Sequence, residues 1–136
     1  MGNLQGNYIG LAGELRVMSE LLLRGHNPAK SYLENGADLI LENGLRIEVK
    51  SKHKQTIKDH DIYQFSLRGG HRKQNQNLDH CDFLICWCID DDCFYIIPTS
   101  SITTEASAIC IFNHSSKRQW TKYLSYKENW ELLQRR

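Results

Sequence analysis

The fold is decided by residues 36–50, which read GADLILENGLRIEVK. Apolar and polar positions alternate through this stretch, as they do in two half-buried β-strands joined by a turn. The apolar set is Leu39, Leu41, Leu45, Ile47 and Val49. The other set carries Asp38, Arg46, Glu48 and Lys50, with Ile40 as its single apolar member. The stretch predicts a hairpin that buries one face and presents charges on the other.

The alternation also selects the register of this hairpin. A two-residue turn would split the apolar set over both faces, because a slip of one residue moves every side chain to the opposite face. A three-residue loop that ends at a left-handed Gly44 instead pairs Leu39 with Ile47. The same register places Asp38 opposite Glu48, so two carboxylates are predicted to face each other.

Opposed carboxylates repel each other, and a hard cation between them would remove the repulsion. Mg²⁺ is held in proteins by one or two carboxylates and accepts phosphate oxygens from a substrate. Lys50 lies two residues beyond Glu48 and therefore points to the same face. There its ammonium group can hold a scissile phosphate or lower the pKa of an attacking water. The alternative is a solvated hairpin whose outer face carries charges with no further role.

Asp38 followed by Glu48-Val49-Lys50 resembles the signature of the PD-(D/E)XK nuclease superfamily, which includes restriction endonucleases, Holliday junction resolvases and some homing endonucleases. Upstream, residues 10–14 (GLAGE) are similar to the Gly-x-x-Gly-Glu helix of resolvase-like members. The resemblance covers roughly residues 8–98, and Ala37 departs from it where the superfamily often has proline. It implies a restriction-endonuclease-like α/β fold with an α-β-β-β-α-β core, in which helices flank a mixed central sheet.

The resemblance also implies a role for each site residue. Asp38 and Glu48 would ligate the metal together with the backbone carbonyl of Val49. Glu14 would complete the metal shell, and Lys50 would position or activate the water. Gln64 is a further polar candidate, because related folds often place one near the site. The cofactor implied is Mg²⁺, with Mn²⁺ as a second possibility.

The first helix is predicted from apolar residues at helical spacing, which begin just after Gly10. They are Leu11, Leu15, Met18 and Leu22, with Val17 and Leu21 broadening the stripe. This stripe is expected to be the buried face, and Glu14 borders it. A carboxylate in the first turn of a helix also complements the helix dipole, so that explanation of Glu14 stays open.

The net charge of +1 hides a segregation along the chain. Residues 45–73 are rich in lysine and arginine, whereas residues 74–116 contain neither. A basic block beside the predicted catalytic strand favours contact with a phosphate backbone, and such binding weakens steeply with salt. The candidate DNA-binding residues are Lys52, Lys54, Arg68, Arg72 and Lys73. A merely solvated basic surface is the alternative.

Length and composition favour one domain over residues 1–136. The chain shows no apolar run long enough for a membrane helix and no signal-peptide pattern, so a cytoplasmic location is expected. Five cysteines are an odd number, and none of their spacings is typical of a zinc site, so free thiols are expected.

The function expected is a Mg²⁺-dependent DNA endonuclease of the homing or restriction type. A Holliday junction resolvase-like nuclease is the closest alternative. A catalytically inactive DNA-binding module of the same fold, or an interaction protein with a solvated hairpin, belongs to another class. Cleavage of both strands requires two active sites, so DNA and a second copy of the chain, in a homodimer or higher oligomer, are the expected partners.

Overall fold

The computed structural model describes residues 4–32, 36–67, 78–103, 106–112 and 122–134. Helix α1 covers Leu4–Leu23 and is the one α-helix in these ranges. It begins well before Gly10, so the predicted start was wrong and Glu14 lies in the middle of the helix. The helix ends at Leu23, and Gly25 just beyond it has a positive φ of 91°, which glycine adopts without strain. In the described ranges no helix is long and apolar enough to cross a membrane.

A five-stranded mixed sheet forms the centre of the molecule. Its strands are β1 (Ala29–Lys30), β2 (Leu39–Ile40), β3 (Arg46–Lys52), β6 (Phe83–Cys88) and β7 (Cys93–Pro98), in that order across the sheet. Strands β3 and β6 are parallel, and every other neighbouring pair is antiparallel. This mixed α/β architecture confirms the predicted fold class.

The hairpin has the register that the alternation predicted. Leu39 pairs with Ile47, and the amide of Leu41 donates to the carbonyl of Leu45 over 2.9 Å. Gly44 closes the loop with a φ of 87°. A side chain at Gly44 would be strained, because L-residues rarely adopt this conformation.

A second, three-stranded antiparallel sheet packs on one face of the central sheet. It consists of β4 (Gln55–Ile57), β5 (His60–Ser66) and β8 (Ala108–Phe112), in the order β4-β5-β8. Strand β5 carries the candidate Gln64 and ends at Ser66. The second helix of the expected core is not found in the described ranges, and residues 68–77 between β5 and β6 lie outside them.

The two faces of the central sheet bury separate clusters. Strand β6 contributes side chains to both clusters. Ile85 packs with α1 and β2, whereas Leu84 and Cys86 pack with β5 and β8. The carboxyl-terminal residues also join this core. They form short 3₁₀ turns at Leu124–Tyr126 and Trp130–Leu133, and Trp130 is buried beside α1.

Helix α1 buries one side of the predicted stripe, Met18 with Val17 and Leu21, and leaves its other side exposed. Val17 and Leu21 are fully buried and Gly13 lies against Ser51 of β3, whereas Leu11, Leu15 and Leu22 are exposed. The reason is steric. A face that begins with glycine lets the helix approach β3 closely, and the larger leucines of the other face cannot.

Candidate active site at the end of the hairpin

Asp38 stands where β2 begins and reaches across to β3. Its Oδ2 accepts a hydrogen bond from the backbone amide of Val49 over 2.8 Å. In a strand the amide and carbonyl of one residue point to the same side. The Val49 carbonyl therefore points toward β2 and Asp38, and it is not used in the hydrogen bonds between β3 and β6. This is the side on which the resemblance implies that the carbonyl ligates a metal.

Glu48 lies on the opposite face of β3 from the α1-facing Ile47, and its side chain is only 15% exposed. Its Oε1 lies 2.6 Å from Nε2 of His80, and its Oε2 lies 3.6 Å from Nζ of Lys50. Oε2 is also buried and has no hydrogen-bond partner. Lys50 compensates the charge of this buried oxygen at ion-pair distance but donates no hydrogen bond to it, so a bound cation there would be favourable.

Glu14 approaches the same place from α1. Its Oε1 pairs with Nζ of Lys30 over 3.6 Å, and its charge acts on Asp38. The structure thus brings together Glu14, Asp38, Glu48 and Lys50 from one helix and two strands. Because Glu14 is in mid-helix, it cannot serve as a first-turn partner of the helix dipole.

Burial raises the pKa of the Asp38 carboxyl above its ordinary value. The negative charges of Glu14 and Glu48 also raise this pKa, whereas the hydrogen bond from the Val49 amide and the positive charge of Lys50 lower it. A carboxyl whose pKa is raised in this way, beside two further carboxylates, marks a site where a bound cation would be favourable.

The raised pKa predicts that Asp38→Asn stabilises the protein when divalent cations are chelated. The folded chain holds this proton more tightly than the unfolded chain. Stability is therefore lost as pH rises from about 3.9, the ordinary pKa, through the folded pKa, and the full penalty is present at neutral pH. Asparagine removes the charge and can still accept from Val49. We expect a Tm higher by a few degrees in EDTA at neutral pH, with the gain shrinking in acid.

Asp82→Asn is the matched control, because Asp82 accepts from the Arg46 amide over 2.8 Å and pairs with its guanidinium over 3.2 Å. That variant is expected to lower the Tm at neutral pH. An unchanged or lower Tm for Asp38→Asn would contradict the conclusion that the ionised Asp38 carboxylate destabilises the folded chain.

Gln64 is not brought to this cluster. It is exposed on β5 and alternates with Tyr63 and Phe65, which are buried between the two sheets. Its side chain therefore lies on the outer face of the second sheet and points away from the central sheet. Its predicted role has no support from its position.

The candidate DNA-binding residues have different surroundings. Lys52 is exposed at the end of β3. Lys54 is tied to the acidic turn that follows β6, with its Nζ 3.3 Å from Asp91 and 5.9 Å from the ring centre of Tyr63. Arg68, Arg72 and Lys73 lie outside the described residues. The segregated charges of the sequence are therefore partly paired in the fold.

The acidic turn formed by Asp90, Asp91 and Asp92 connects several elements of the fold through its side chains. Asp90 accepts from the Lys54 amide over 2.5 Å, and Asp91 accepts from the Tyr63 hydroxyl over 2.7 Å. Asp92 accepts from the Trp87 indole over 2.7 Å and pairs with Arg16 of α1. The three aspartates connect the helix, the central sheet and the second sheet.

The cysteines are free thiols. Burial raises the pKa of Cys86 to about 12, and burial together with the Glu48 charge raises that of Cys81 to about 12. Such thiols stay protonated and do not favour metal binding. In the described part of the chain no group of three or more His, Cys, Asp or Glu side chains is already arranged to hold a metal ion.

His80 is the site residue that the pattern did not single out for this role. It belongs to the loop before β6, far from Glu48 in sequence. The parallel pairing of Glu48 with Leu84 brings the start of β6 beside the hairpin. A histidine just before an apolar strand is a weak signal, because only the strand order shows which residue it meets.

Comparisons with known proteins identify a structural relative and no sequence family. No family model matches the chain, and no curated protein matches it. The solved structure of a bacterial homing endonuclease, I-Ssp6803I, is similar with a TM-score of 0.74 and 17% identity, over 93% of this chain and 90% of that chain. At this identity the likeness establishes a shared fold over nearly the whole of both chains.

Proposed function

We propose that this chain is a Mg²⁺-dependent DNA endonuclease of the PD-(D/E)XK type, with a homing or restriction-type role. The observation that carries the proposal is the buried Oε2 of Glu48, which accepts no hydrogen bond and is ion-paired with Lys50 beside Asp38 and Glu14. The homing-endonuclease fold of the similar structure supports the same chemistry. The charged face of a merely solvated hairpin would be expected to leave such a carboxylate in water.

The donor set fits a hard divalent cation. Asp38, Glu48 and the Val49 carbonyl offer oxygen ligands on one side of the hairpin, and Glu14 adds a carboxylate from α1. These are the ligand types that Mg²⁺ and Mn²⁺ accept, and the nearby thiols are held protonated. A cation bound there would polarise a phosphate and lower the pKa of a water nucleophile.

The chain's own residues supply the remaining functions. Lys50 is a half-buried cation 3.6 Å from Glu48, so it can hold a phosphate oxygen or stay beside the water that attacks. The Val49 amide fixes Oδ2 of Asp38 by donating a hydrogen bond to it. His80 fixes Oε1 of Glu48, which orients Oε2 toward Lys50.

DNA is the substrate that the observations favour. The similar structure is that of a homing endonuclease, and Lys52 places an exposed positive charge two residues beyond Lys50 on the same strand. A backbone-binding surface of this kind predicts affinity that falls steeply with salt.

The test is a cleavage assay at low salt with four substrates: supercoiled plasmid, linear duplex, a synthetic four-way junction and single-stranded RNA. Each is incubated with Mg²⁺, Mn²⁺ or EDTA. We expect metal-dependent cutting of DNA and none in EDTA. Preference for the junction would assign the resolvase-like role instead, and duplex binding without cutting of any substrate would favour an inactive DNA-binding module.

A thermal melt separates metal binding from catalysis. Mg²⁺ binds the folded chain and should raise the Tm, since a ligand of the folded state stabilises it by mass action. Glu48→Gln should abolish this rise, whereas Glu42→Gln, on the loop of the same hairpin, should keep it. A rise that survives in Glu48→Gln would place the cation elsewhere.

A further inference from the structure

Helix α1 has two apolar faces, and the part of the chain that the structure describes covers only one of them. Gly13, Val17 and Leu21 follow one another at a spacing of four residues and pack on the central sheet. At about 3.6 residues per turn the opposite side of the helix carries a second apolar row. Its members are Tyr8 (68% exposed), Leu11 (46%), Leu15 (58%) and Leu22 (57%).

The second row carries no charged side chain. The ionic residues of α1 lie elsewhere on the helix, where Arg16 pairs with Glu20 over 3.1 Å and Glu14 pairs with Lys30. Between the large residues of the row stand the small Ala12 and Ser19. A helix that is apolar on two opposite sides is normally buried on both. This second face therefore suits contact with an uncharged, apolar surface of a partner.

We propose that the α1 row of Tyr8, Leu11, Leu15 and Leu22 is the contact between two copies of this chain. The row extends over about 21 Å of the helix, and Leu15 lies at its middle. Two antiparallel helices related by a two-fold axis at Leu15 would bring Tyr8 against Leu22 of the other copy. They would also bring the large Leu11 against the small Ser19, so the face is complementary to itself.

The area fits the centre of such an interface. Four large side chains that are roughly half exposed present a few hundred Å² of apolar surface. A stable dimer buries about 800 Å² on each partner, of which the apolar centre is a part. The charged residues beside the row would then form the polar rim that such interfaces have.

This interface does not depend on the proposed chemistry, because it rests on the outer face of α1 alone. If the chain is also a nuclease, the contact has a consequence for its activity. Glu14 lies on the same helix but faces the sheet, so pairing of two α1 helices leaves both active sites free. Two sites related by a two-fold axis suit cleavage of both strands of a duplex.

Sedimentation velocity of the full chain over a wide range of concentration tests the proposal. The wild type should sediment with the mass of two chains, or of an even number of them. Leu15→Glu should lose this association, since each copy would bury a charge at the axis. Ser19→Glu should lose it as well, and glutamate is at least as good a helix former as serine. Leu124→Glu is the matched control, because Leu124 is 47% exposed on another part of the surface.

Circular dichroism melts must show that each variant remains folded, which the exposure of Leu15 and Ser19 predicts. A wild type that is monomeric at every concentration would overturn the proposal. Association that persists in both Leu15→Glu and Ser19→Glu would overturn it as well, since the contact would then lie on another surface. Loss in both variants together with retention in Leu124→Glu would support it.

Discussion

Lys50→Ala is expected to slow DNA cleavage by roughly a hundred- to ten-thousand-fold, which is the usual contribution of a positioned proton-transfer or charge-stabilising group. Nζ of Lys50 lies 3.6 Å from the buried Oε2 of Glu48, which accepts no hydrogen bond. Removal of Lys50 takes away the positive charge beside Glu48, where the phosphate would bind. The loss should appear in the rate at saturating protein, because the chemistry and not the encounter with DNA depends on this group.

Lys52→Ala is the control for Lys50→Ala. The two lysines belong to the same strand and the same charge class, but Lys52 is exposed at its end. Its removal should weaken DNA binding and lower the dependence of affinity on salt, with a nearly unchanged rate at saturation. Equal loss of rate in both variants would mean that Lys50 acts through general attraction for DNA, and the proposed catalytic role would be wrong.

The hairpin could be predicted from the sequence because its information is local. Alternation over residues 38–50 allows one register that buries all of the apolar set, and a glycine stands where that register needs a left-handed residue. The relative positions of Asp38, Glu48 and Lys50 follow from this register, and in the structure their charges act on one another. Strand periodicity therefore carried the prediction of this part of the site.

The packing of α1 could not be predicted in the same way. The helical spacing of apolar residues predicted one broad buried stripe, but close approach to β3 at Gly13 buries only its Val17 and Leu21 side. Contacts between distant segments, such as those of His80 with Glu48 and of Asp91 with Tyr63, depend on strand order and leave no local pattern. The charge pattern predicted Lys54 as a residue available to DNA, but it cannot show that Lys54 pairs with Asp91 of the acidic turn.

The largest effect on stability is expected from Gly13→Ala, which adds one methyl group at the contact of α1 with β3. A Cβ built on Gly13 would overlap the Oγ of Ser51 and lie 2.9 Å from its Cβ. Overpacking of a closed contact costs about 1–3 kcal/mol, which outweighs the roughly 0.5–1 kcal/mol that alanine contributes in a helix relative to glycine. We expect the Tm to fall by several degrees in thermal melts.

Gly10→Ala provides the matched control, because it makes the same change one turn earlier in the same helix. A Cβ there meets nothing within 4 Å, so the helix preference acts alone and the free energy of unfolding should rise by about 0.5–1 kcal/mol. The two variants should therefore differ in sign. Ser51→Gly combined with Gly13→Ala removes the atoms that collide and should restore part of the loss, as coupled neighbours do in a double-mutant cycle. If Gly13→Ala is as stable as Gly10→Ala, the helix does not lie this close to β3, and the approach of Glu14 to Asp38 would lose its structural basis.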